Sequence, residues 1–207
     1  MEKKMLCNEP IIYIMDNFLT NIECDHFVKI SINNMKRSTV SSNNEGLLSN
    51  GRTSSNCWIK HNTDEITLNI ANRIAENVGI SIENAESYQV IHYSKSQLYN
   101  PHYDAYKKDG SDKSKRCLKY GGQRMITALV YLNDVEEGGN TIFPNLDISI
   151  KPKKGSMLVF HNCKKGTTDI HINSLHAGNP PIKGEKFAFN LWFREEPTNR
   201  IYNYYNK

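Results

Sequence analysis

Between Glu86 and Phe193 the chain is cut by turn residues into short β-type runs, and this spacing most narrows the folds open to it. The predicted strands are Tyr88–Tyr93, Pro101–Asp104, Met125–Leu132, Thr141–Phe143, Ile148–Ile150, Ser156–Phe160, Asp169–His176 and Glu185–Phe193. About eight strands at close spacing favour a closed or double-sheet antiparallel architecture, a jelly roll.

The segment before Glu86 reads differently. Ile11–Ile14 forms a first strand, and Thr20-Asn21-Ile22-Glu23 is a capping box, which predicts a helix running to about Asn33. Ser38–Asn56 is mostly Ser, Asn, Thr and Gly, so a loop is expected. Ile66, Ile70, Ile74 and Val78 then fall on one face of a second helix, with Gly79 as its stop. The expected class is therefore mainly β with flanking helices: a double-stranded β-helix (jelly roll) core packed by N-terminal helices. The expected divisions are an N-terminal extension over 1–85, the core over 86–196 and a tail over 197–207. Lys107 to Arg116 has no apolar residue and predicts a solvated loop flanking the mouth of any site that follows Asp104.

Composition sets bounds. At 207 residues and a net charge of +4, the chain is long enough for one domain with a substantial core and too weakly basic for a dedicated nucleic-acid binder. Five scattered cysteines without a Cys-x-x-Cys pair predict free thiols rather than a zinc knuckle or a disulfide framework. The N-terminus has lysines but no apolar stretch long enough for a leader or a membrane span, so the cytoplasm is the expected location. Oligomeric state is not readable.

The chemistry-bearing residues are His102-Tyr103-Asp104 and the distant His176 and Lys186. On a strand, residues i and i+2 share a face, so His102 and Asp104 can aim together at one point. Two imidazoles and one carboxylate suit a facial triad that holds Fe(II) and leaves positions open for dioxygen and an organic co-substrate. The third ligand must come from another strand, with His161, His171 and His176 as candidates and His26, His61 and His92 lying upstream. A lysine near the distal histidine supplies a cation for a dicarboxylate.

Longer stretches carry a resemblance. Gln89–Tyr93 with Gln97–Asp104, then Leu129–Pro144, Lys151–Ser156 and Ser174–Lys186 resemble, in order, the signature segments of prolyl 4-hydroxylases, and Gly51–Trp58 is similar to a further motif of that family. The resemblance implies Fe(II) ligands at His102, Asp104 and His176, and 2-oxoglutarate held through its far carboxylate by Lys186, Tyr93 and Thr141. It also implies a peptide groove lined by Tyr99, Arg124 and Trp192, with Arg52 and Ser54 on a loop over the peptide. The implied reaction is 4-hydroxylation of peptidyl proline in collagen-like or other proline-rich peptides, with O2 consumed, succinate and CO2 released, and ascorbate as reductant. Implied partners are proline-containing peptides, with no nucleic acid and no membrane. Alternatives are an Fe(II)/2-oxoglutarate oxygenase acting on lysyl residues or nucleic acid, whose relatives generally carry arginine in place of Lys186, and an inactive jelly-roll binding module. Phe187, His161 and the charged insertion after Asp104 depart from the family pattern.

Overall fold

The computed structural model of the chain describes residues 2–41 and 46–198. In chain order the strands and helices begin with β1 (Lys4–Asn8), β2 (Ile11–Met15), α1 (Asn21–Ser31), β3 (Lys36–Arg37), β4 (Val40–Ser41), β5 (Gly46–Leu47), β6 (Ser55–Ile59) and α2 (Glu65–Val78). They continue with β7 (Tyr88–Tyr93), β8 (Tyr99–His102), α3 (Asp112–Leu118), β9 (Arg124–Tyr131), β10 (Glu137–Gly138), β11 (Thr141–Phe143) and β12 (Ile148–Ile150). The last are β13 (Met157–His161), β14 (His176–Gly178), β15 (Pro181–Lys183) and β16 (Lys186–Arg194). An eight-stranded sheet runs β1-β2-β13-β9-β16-β7-β6-β3, and a four-stranded sheet runs β12-β11-β14-β8. The pairings are antiparallel throughout, as the turn-punctuated sequence predicts.

Strand alternation divides the large sheet into two faces. In β16, Phe187, Phe189, Leu191 and Phe193 join the buried cluster that holds Phe27 of α1 and Ile70 and Ile74 of α2. The intervening Lys186, Asn190 and Trp192 line a cavity on the opposite face. In the same way Val90 faces the helices while Ile91 and Tyr93 face inward, and Val130 is flanked by the inward-facing Leu129 and Tyr131. The inward cluster is completed by Phe143 and Ile150 of the small sheet. Helices on one face and a second sheet on the other bury this sheet on both sides, which is why its central strands read as nearly unbroken apolar runs.

Both helices end as their sequences direct. Thr20 accepts from the Glu23 amide while the Glu23 carboxylate accepts from the Thr20 amide, completing the capping box. Gly79 closes α2 with φ +71°, a conformation that a side chain disfavours.

Several expectations are corrected. The first metal-motif strand is Tyr99–His102 rather than Pro101–Asp104, so Asp104 lies beyond the ladder. Asp169–His176 is not a strand: a 3-10 turn over Ile172–Ser174 precedes β14. The expected loop over Ser38–Asn56 ends early, because β6 starts at Ser55 and pairs with β7; residues 42–45 lie outside the described residues. Lys107–Arg116 is not all loop, since α3 starts at Asp112 with Ser114 buried. Residues on both sides of position 86 share one sheet, with β1 and β2 beyond β13 and β6 and β3 beyond β7. Of the expected tail only residues 197 and 198 are described, and Thr198 donates its amide to Glu83 O at 2.8 Å.

Candidate active site

The antiparallel register of β8 and β14 sets His102 directly opposite His176, with ring centroids 4.3 Å apart. Just past the end of β8 the chain brings Asp104 between them, its Oδ1 3.8 Å from His102 Nε2 and its Oδ2 3.6 Å from His176 Nε2. One donor atom from each of the three residues lies within 4.8 Å of the others. Each Nδ1 is committed to a carbonyl two residues back, His102 to Asn100 O at 2.8 Å and His176 to Ser174 O at 2.9 Å. A donor at Nδ1 leaves the lone pair on Nε2, so both rings offer the metal-binding nitrogen inward. Burial, reinforced by the neighbouring His176, holds His102 well below the usual histidine range, so it stays neutral. Burial alone would raise Asp104, but the facing imidazoles, Arg124 and the Trp192 donor outweigh it and keep the carboxylate ionised. Two imidazole nitrogens and an anionic carboxylate fit Fe(II).

Asp104 is itself held. Thr127 and Trp192 are register partners on β9 and β16, and both donate to Asp104 Oδ2, Thr127 Oγ1 at 2.7 Å and Trp192 Nε1 at 2.9 Å. Asn162 Nδ2 in turn donates to Thr127 Oγ1 at 2.9 Å. Trp192, expected in the peptide groove, therefore also orients a ligand. Thr127 and Asn162 were not singled out in the sequence; the inward alternation of β9 was the signal available for Thr127.

Lys186 Nζ lies in the same cavity, 2% exposed, and donates to Gly139 O at 2.8 Å and Thr141 Oγ1 at 3.4 Å. Among the described residues no carboxylate pairs with it, and burial lowers its pKa to about 7. A buried ammonium with only neutral acceptors calls for an anion. Tyr93 is its register partner on β7, with the ammonium 5.5 Å from the Tyr93 ring centroid. Burial pushes the Tyr93 hydroxyl up to about 12, keeping it a proton donor. Tyr131, missed in the sequence, donates to Thr141 Oγ1 at 2.8 Å. Thr141 thus accepts from two sides, leaving its own proton to donate.

The cavity measures about 850 Å³. Tyr99 stacks on His102 with centroids 3.5 Å apart, and the Arg52 guanidinium covers the other ring of this stack at 4.6 Å from the Tyr99 centroid. Arg124 lines the cavity but is committed to Glu86 through a bidentate pair at 2.6 and 2.8 Å, and it stacks 3.6 Å from the Trp192 ring centroid. Ser54 is fully buried, donates to Ser38 Oγ at 3.1 Å and does not line the cavity, so its expected place over a peptide is corrected. The five remaining histidines, His161 among them, lie outside this cluster: His26 faces Asp64, His61 meets Glu86 O, His92 faces Glu185 and His171 faces Glu9.

Comparison with known proteins follows this geometry. The 2OG-Fe(II) oxygenase superfamily profile matches residues 88–194, more than half the chain. Prolyl 4-hydroxylase 5 of Arabidopsis thaliana is 35% identical over 206 residues, covering 89% of this chain and 68% of the relative. The chain belongs to the prolyl 4-hydroxylase family of Fe(II)/2-oxoglutarate-dependent oxygenases. Prolyl 4-hydroxylase 2 of the same plant, another member, is 31% identical over 221 residues, covering 96% of this chain and 72% of the relative. Among solved structures of the family, the viral collagen prolyl hydroxylase of Paramecium bursaria Chlorella virus 1, in complex with 2-oxoglutarate, aligns with a TM-score of 0.72 at 30% identity, covering 91% of this chain and 98% of its own. This member of the family spans between 66% and 75% of the length of the curated relatives it matches. As in the rest of the family, its core is a jelly roll and its chemistry uses Fe(II), 2-oxoglutarate and O2. Among the described residues no helix is long and apolar enough to cross a membrane.

Proposed function

We infer that this chain 4-hydroxylates proline residues in polypeptides, consuming 2-oxoglutarate and O2 and releasing succinate and CO2. The observation that carries the reading is one cavity holding both a converging His-Asp-His set and a buried lysine with no carboxylate partner among the described residues. Relatives named as prolyl 4-hydroxylases support proline as the target. A cavity lined by Tyr99, Trp58 and Trp192 suits a proline-rich strand, whose preformed extended backbone has little left to order on binding.

In this reading His102 Nε2, His176 Nε2 and a carboxylate oxygen of Asp104 hold Fe(II), while Thr127 and Trp192 fix the carboxylate so that its donor atom does not wander. Fe(II) bound there, with 2-oxoglutarate and dioxygen, supplies the oxidising power that inserts one oxygen atom into a C–H bond. Lys186, Thr141 and Tyr93 grip the far carboxylate of the co-substrate; the ammonium contact is worth roughly 1.5–3 kcal/mol. Ile91, Leu129 and Phe160 supply apolar cavity wall that excludes water from the reacting groups.

Incubation with Fe(II), 2-oxoglutarate, ascorbate and a proline-rich peptide should add one oxygen atom to proline by mass spectrometry. Oxidation confined to lysine or a nucleobase would reject the assignment. His176→Ala should abolish succinate formation and leave the circular dichroism spectrum intact; retained turnover would mean another third ligand.

A further inference from the structure

The segment 107–119 carries six cations and two carboxylates, a net charge of +4 that equals the formal net charge of the whole chain. Its placement gives that concentration of charge a purpose. Lys107, Asp109, Lys113 and Arg116 line the same cavity as the metal triad. The segment is tied down at both ends. The Gln123 side chain accepts from Tyr106 N at 2.7 Å and donates to Tyr106 O at 2.8 Å, and Arg194 Nη1 donates to Cys117 O at 3.0 Å. Within it, Ser111 caps α3 and the buried Ser114 donates to Lys107 O at 2.6 Å. A segment fixed this way holds its lysines as a wall.

The other charges of the cavity are already assigned. Glu86 neutralises Arg124, the metal answers Asp104, and the co-substrate answers Lys186. What remains among the described residues is Arg52, Lys107 and Lys113 against the single carboxylate of Asp109. Arg52 is 8% exposed, donates to the neutral Thr39 O and Gln89 Oε1, has an unpartnered Nε and, among the described residues, forms no ion pair. A buried guanidinium beside Tyr99, lining the same cavity as Lys107 and Lys113, has no carboxylate partner among the described residues.

We propose that the peptide substrate carries acidic side chains within a few residues of the target proline, and that this basic mouth selects them. The proposal rests on the prolyl reading above and narrows it. Complementary charge at a partly open mouth acts mainly on encounter and choice of partner, and salt weakens it.

Three peptides with one central proline and acidic, neutral or basic flanks test this. At low ionic strength the acidic peptide should exceed the basic one in kcat/KM by about five- to tenfold, a ratio built from exposed pairs of modest individual strength. The ratio should shrink toward parity in high salt. Lys107→Glu with Lys113→Glu should reverse the order of the two charged peptides, and the milder Lys107→Gln with Lys113→Gln should level it. Lys29→Glu, on the far α1, should leave the ratio unchanged. Fluorescence anisotropy with labelled versions of the same peptides reads the preference without turnover. Turnover of the neutral peptide with equal acidic and basic values overturns the inference and keeps the prolyl reading. Preferential binding of the acidic peptide with no proline oxidised in any of the three keeps the charge selection and removes the prolyl reading.

Discussion

A buried ammonium with only neutral neighbours titrates where a surface lysine does not. Lys186 falls to about 7 from an ordinary 10.5 because burial penalises its charged form. Between those values the unfolded chain binds a proton that the empty folded protein has lost, so this group's contribution to stability grows as pH rises from about 7 to 10.5. Co-substrate binding has the opposite sign: a carboxylate prefers the protonated lysine, so its affinity should fall above pH 7, by at most about tenfold per pH unit. Calorimetric titration of 2-oxoglutarate into the Mn(II)-loaded protein between pH 7 and 9 checks this. Lys186→Met should bind roughly ten- to a hundredfold more weakly and show no such slope, in keeping with the loss of about 1.5–3 kcal/mol. A slope that survives the substitution would assign the titration elsewhere. At this scale the ligand residues were readable because metal chemistry restricts them to a few types. Thr127, Asn162 and Tyr131 were not, since a hydroxyl or amide behind a ligand looks in sequence like any other polar residue on a strand.

At the scale of elements, the turn between β12 and β13 shows how tightly loops meet the sheet. Gly155 has φ +78°, accepts from Leu19 N at 2.9 Å through its carbonyl, and donates its own amide to Tyr131 O at 2.9 Å. A Cβ there would lie 2.4 Å from Leu19 O, a backbone atom that cannot swing aside. Gly155→Ala should destabilise the fold by about 2–4 kcal/mol, combining left-handed backbone strain with a steric clash, and a lowered urea midpoint would record it. The same neighbourhood shows what sequence could and could not give. Both helices were legible from their capping box, their apolar spacing and Gly79, because those signals are local. β6 was hidden in a Ser- and Asn-rich stretch and is a strand because β7 beside it needs a partner. α3 was hidden by its charge, since it is held at its C-terminal end by Arg194, far off in sequence.

On the scale of the molecule, the N-terminal segment grips the sheet by both flanks. β2 covers the edge of β13 and β6 covers the edge of β7, while α1 and α2 bury the outer face. Residues 86–198 expressed alone would leave two strand edges bare and strip the cover from Phe189 and Val130. Such a fragment should show no cooperative thermal unfolding by circular dichroism, whereas the whole chain should; a cooperative fragment would make the first 85 residues a separable extension.

The facing of His102 and His176 across neighbouring strands has one more outcome. A slip of β14 by a single residue would turn one imidazole out of the pocket, so metal retention doubles as proof-reading of strand alignment. Only correctly zipped molecules can keep their ion, and the ion in turn rivets the seam that admitted it.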